Sequence, residues 1–106
     1  MAKNGKGGDP KKQADFNKQL DATKAGVNAL NQSFVDNQKN ILGAKNNLKA
    51  FEDQLHSISA LQAQAAAEGK KGEAEKLAVM YQGVEALQKQ KEVLLQVKDS
   101  YKDLNS

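Results

Sequence analysis

The sequence predicts an all-α protein, a long antiparallel helical hairpin with a coiled-coil seam. Three observations predict it. Good helix formers dominate the 106 residues, and the single proline, Pro10, stands near the start. Large apolar residues recur at alternating steps of four and three. A Gly/Lys cluster punctuates the pattern once, near residues 69–72. Runs of alternating β-branched residues, the mark of strands, are absent.

Residues 1–9 read as a disordered basic tail. They are polar and glycine-rich, and Lys3, Lys6, Lys11 and Lys12 gather in and just after them. The whole-chain charge of +3 therefore belongs to this end, because the acids and lysines beyond it cancel. Asp9-Pro10 suits a helix start, with Asp9 as N-cap and Pro10 in the first helical position.

The first helix is expected over 10–67. Stepping by four and three from Phe16 gives Leu20, Thr23, Val27, Leu30, Phe34, Asn37, Ile41, Ala44, Leu48, Phe51, Leu55, Ile58, Gln62 and Ala65. Only Thr23, Asn37 and Gln62 are polar. A straight helix with 3.6 residues per turn drifts by about 20° per heptad against such a repeat, so the constant phase points to supercoiled packing. One stretch argues otherwise. Asp36-Asn37-Gln38-Lys39-Asn40 contains poor helix formers, and a break near 36–40 converts the hairpin into a three-helix bundle. The unbroken phase favours continuity.

The turn is expected over 68–72, Glu68-Gly69-Lys70-Lys71-Gly72, and the second helix over 73–104. Glu73 and Glu75 suit the positive end of that helix. Its apolar stripe is Leu77, Met80, Tyr81, Val84, Leu87, Leu94, Val97, Tyr101 and Leu104, interrupted by Lys91. Pairing about the turn covers the first helix only back to residue 36 or so. Phe16, Leu20, Val27, Leu30 and Phe34 are then a stripe without a partner, which makes residues 10–35 the expected partner-binding segment.

The sequence offers little for chemistry. There is no cysteine, hence no disulfide, thiolate ligand or cysteine nucleophile. The sole histidine, His56, follows Asp53 by three residues, yet both fall outside the seam and read as solvated. Gly5-Lys6-Gly7-Gly8 lacks the spacing of a phosphate-binding loop. We expect no catalytic, cofactor or metal site, and no enzyme. All 16 basic residues are lysine, and arginine, the usual reader of guanine edges, is absent. That argues against nucleic acid as partner. A polar face rich in Asn and Gln argues against a membrane surface. No apolar run is long enough to span a bilayer and the N-terminus lacks a hydrophobic signal core, so the expected location is cytoplasmic, or exported without a cleavable signal peptide.

The motifs identify no family; size and hairpin form alone suggest small secreted helical-hairpin proteins of bacteria, or needle or chaperone components of secretion machines. The Trp-x-Gly turn of the first group is missing and no needle motif is present, so no residue role carries over. The expected function is a structural or interaction protein that self-assembles, as a homo-oligomer, or docks on another helical protein through residues 10–35. The competing expectation is binding of nucleic acid or an anionic membrane surface through the lysine tail.

Overall fold

The computed structural model describes residues 10–105. Among them the chain forms three helices, α1 (Pro10–Lys39), α2 (Leu48–Ala67) and α3 (Lys71–Asn105), with a 3-10 turn at Ile41–Gly43 and no strand. The protein is all-α, and α2 and α3 form the antiparallel hairpin expected about residues 68–72. The expected tail, residues 1–9, lies outside the described residues.

The hairpin turn follows from Gly69. Its φ of +77° is open to glycine at no steric cost. Around it the Lys70 amide donates to the Ala65 carbonyl at 2.8 Å and the Gly69 amide to Ala66 at 3.1 Å, the paired bonds of a Schellman cap. The Ala74 amide donating to the Lys70 carbonyl then opens α3.

The continuous helix expected over 10–67 is corrected. Helix α1 ends at Lys39 and the chain reverses before Leu48. Asparagines build the reversal. Asn40 leaves the helical region (φ −140°, ψ 82°) and its side chain accepts from the Gly43 amide at 3.2 Å. Gly43 leaves room for that closure, since a Cβ there would stand 2.6 Å from Asn40 Nδ2. Asn46 Oδ1 then accepts from the first amide of α2, on Leu48. The break opens at Asn40, the end of the stretch 36–40, and extends to Asn47, which gives the three-helix alternative. The seam keeps its phase through it because Ala44 and, in part, Ile41 turn inward toward the core that both flanking helices share.

Helix α1 therefore runs antiparallel to α2 and parallel to α3. Gly26 of α1 lies under the Gln54 side chain of α2. Near one end Lys70 donates to Gln13, and toward the other Lys91 donates to Asn37. The core is Phe16, Leu30, Phe51, Ile58, Leu61, Ala65, Leu77 and Val84, extended by a second cluster of Phe34, Ala44 and Leu94. Burying each large apolar side chain contributes roughly 1.5–3 kcal/mol. Leu94 packs with Phe34 near the end of α1 and with Ala44 in the reversal. Leu61, which the four-three stepping passes over in favour of Gln62, is fully buried.

Candidate functional site

The stripe expected to bind a partner is corrected first. Phe16, Leu30 and Phe34 are 1%, 6% and 8% exposed, and Leu20 and Val27 are half-buried. The chain reversal lays them on α2 and α3, so the surface of residues 10–35 that was to receive another helix is filled by this chain's own. Phe16 is held further by Lys70, whose ammonium stands 4.5 Å from the ring centroid and 3.1 Å from Glu68. Of the expected basic residues, Lys3, Lys6 and the side chain of Lys12 lie outside what is described, and Lys11 is exposed in the first turn of α1.

Folding α1 back moves the uncovered apolar surface to the opposite end. Helix α3 is longer than its neighbours. Toward its end Lys98 donates to the Ala44 carbonyl in the reversal. Every described side chain from Asp99 to Leu104 is exposed. At 1.5 Å per residue, residues 99–105 project about 10 Å. Val93, Val97, Tyr101 and Leu104 are spaced four, four and three apart, which places them within an arc of about 80° on α3. Val93 is 57%, Tyr101 46% and Leu104 80% exposed.

This track leads into a groove between α1 and α3 of about 590 Å³, lined by Phe34, Gln38, Ile41, Lys89, Gln90, Val93 and Leu94. Phe34 and Leu94 are core residues that form its floor. Ile41 is supplied by the 3-10 turn, so the asparagine-driven reversal also shapes the groove. Leu42, 52% exposed, extends the apolar surface on the turn.

Beside the groove sits the buried cation of the fold. Lys91 is 1% exposed, and its ammonium donates to Asn37 Oδ1. Burial, and secondarily the charge of Lys98, hold its pKa below the ordinary lysine value. In the sequence Lys91 interrupts the apolar stripe of α3. The signal that links it to Asn37 is that both are polar at stripe positions.

Two further clefts flank the bundle. One, of about 400 Å³, brings Lys24, Lys70 and Lys76 around Phe16 and Leu77. The other, of about 290 Å³, gathers Glu52, His56, Ser59 and Tyr81. Glu52, His56 and Ser59 share a face of α2 and are exposed. Among the described residues no three His, Cys, Asp or Glu side chains converge on a point that could hold a metal ion. No described helix is long and apolar enough to cross a membrane. Comparison with protein-family models, curated proteins and solved structures finds no match to this chain.

Proposed function

We propose that this chain is a non-enzymatic interaction protein, a three-helix bundle that docks on a helix through the groove between α1 and α3 and the projecting end of α3. One observation carries the reading. The apolar track on α3 continues past the end of α1, leaving Val93, Tyr101 and Leu104 in water at helical spacing. Exposing a contiguous apolar surface is unfavourable, and such surfaces on soluble proteins mark contacts.

A photo-crosslinking residue at position 93 or 101, introduced in the cell of origin, tests this. The expected result is a discrete protein adduct from both positions and none from position 57, an exposed site on α2. Absence of any adduct from 93 and 101 rules the reading out.

A second reading rests on a different observation. The Gln13–Lys70 contact brings the start of α1 beside the turn, so Lys11, Lys70 and Lys71 stand at the end of the bundle to which residues 1–9, with Lys3 and Lys6, are joined. That end would attract nucleic acid or an anionic membrane surface. Each lysine is worth about 1 kcal/mol at most near such a surface, screened by salt. Salt-sensitive binding to anionic vesicles or to nucleic acid, abolished by removing residues 1–9, would support it.

A further inference from the structure

We infer that residues 40–47 are a hinge, and that two copies of this chain exchange α1 across it to form a swapped dimer. In that dimer α1 of each copy packs on α2 and α3 of the other.

The two connections of the bundle differ in kind. The α2–α3 turn is locked by Gly69, which alone among the described residues has a positive φ. The reversal has no such lock. No residue in it has a positive φ, and it contains no proline. Ile41–Gly43 already form a 3-10 turn, and Ala44 is simply extended (φ −67°, ψ 136°), a conformation open to any residue. Straightening therefore meets no steric bar.

The sequence of the reversal also fits the straightened form. Asn37 and Leu48 are about three helical turns apart, so Asn37, Ile41, Ala44 and Leu48 come to one face when α1 is brought into line with α2. The closed reversal, by contrast, leaves Asn47 Oδ1 buried without a hydrogen-bond partner.

Helix α1 is the one that leaves most readily. The surface it covers is partly polar. Thr23 of α1 and Lys91 of α3 are buried, and Gln54 Oε1, beside Gly26, is a second buried acceptor without a partner. Once α1 is away, a second copy matches what it leaves uncovered, because each contact of the closed chain can be remade between copies. The register permits this. Gly26 lies beside Gln54, and Gln13 beside Lys70, pairs whose midpoints fall at about residues 40 and 42. Two straightened chains laid antiparallel about a two-fold axis there keep both pairs, now between copies.

Refolding the full chain at low micromolar and at near-millimolar concentration, followed by sedimentation velocity, tests the inference. The concentrated sample should contain a species of twice 11.5 kDa. The chain has no cysteine, so Gln13→Cys and Lys70→Cys, joined by a short bis-maleimide, report the connectivity. On a denaturing gel the bridge should lie within one chain for the monomer and between chains for the dimer. Two hinge substitutions should act in opposite directions. Gly43→Ala favours helix and crowds Asn40 Nδ2 in the closed reversal. It should tighten the dimer by about tenfold or more, since each dimer holds two hinges. Lys45→Pro suits the closed reversal, where Ala44 is already extended and the Lys45 amide donates to no backbone carbonyl among the described residues, but it breaks a straight helix. It should leave a folded monomer and abolish the dimer. A mass of 11.5 kDa at every concentration overturns the inference. So does a dimer whose 13–70 bridge stays within one chain, or one that Lys45→Pro leaves intact.

Discussion

Lys91 of α3 buries its ammonium against Asn37 of α1, and no carboxylate joins them. The pair sits near the junction of the two apolar clusters and ties α1 to α3 in one register. Asn37 was an odd residue in the seam, and Lys91 an odd residue in its stripe. Each explains the other.

Removing the amide should be costly. Asn37→Ala leaves a buried ammonium without its acceptor, and a hydrogen bond to a charged group is worth about 1.5–3 kcal/mol. Replacing both partners, Lys91→Met with Asn37→Leu, should instead be neutral or stabilising by up to about 4 kcal/mol, since no buried charge is left. Urea unfolding of the three proteins checks this; a double variant no more stable than Asn37→Ala would contradict it.

The same pair sets a pH dependence. The folded pKa of Lys91 lies below the ordinary 10.5. Between those two values the unfolded chain binds more protons than the folded one, so the Lys91 contribution to stability rises with pH across that window. Below the folded pKa its penalty is constant. The stability difference between Lys91→Met and the parent should therefore shrink as pH rises toward 10.5, measured by denaturant titration at several pH values. A difference that grows with pH would refute the assignment.

Core and surface substitutions on α2 should separate cleanly. Phe51→Ala and Ile58→Ala, at sites 1% and 0% exposed, should each cost about 2–5 kcal/mol. Leu55 is only half-buried and its truncation should cost less, while His56→Ala, at an exposed site, should stay within about 0.5 kcal/mol. Thermal melts of the four variants provide the comparison.

Gly26 and Gln54 should show strong coupling. Glycine inside a helix costs about 0.8–1.0 kcal/mol against alanine. A Cβ at Gly26 would overlap the amide end of the Gln54 side chain, which must swing aside, so Gly26→Ala alone keeps only part of that gain. In a Gln54→Ala background the same change should stabilise by about 1 kcal/mol. A double-mutant cycle measures this, and additive single effects would show that the two residues do not touch.

Deleting residues 1–35 should unfold the protein. The cut removes Phe16, Leu30 and Phe34 from the core and bares Phe51, Ile58 and Leu61. Loss of cooperative unfolding by circular dichroism is expected; a stable two-helix remnant would mean that α1 contributes little.

The helical content and the hairpin were legible because they depend on local properties. Propensity, a period and Gly69 suffice for them. The seam residues were legible as buried, and most are. What covers them was not. Phase conservation was read as continuity, but a reversal whose two flanks face one core keeps the same inward positions, as Ile41 and Ala44 do. Asn40, Gly43 and Asn46 carried the contrary signal, which begins at the last residue of the suspected stretch and runs past it. Lys91 was beyond reach for another reason. A lysine is assigned to solvent by its type, and only a partner brought from 54 positions away in sequence makes its burial tolerable. The uncovered apolar track moved for the same cause: once α1 folds back, it passes from the first half of α1 to the end of α3.

The parallel alignment of α1 with α3 also sets an order of events. The ties Gln13–Lys70, Asn37–Lys91 and Ala44–Lys98 each join residues more than fifty positions apart. Helices α2 and α3 meet across a tight glycine turn and share the most extensive interface of the bundle. Closing long loops costs entropy before any contact rewards it, so α2 and α3 should zip together first and α1 dock last. In reverse, α1 is the segment that undocks first, and its amides should exchange with deuterium sooner than those of Ile58 or Val84.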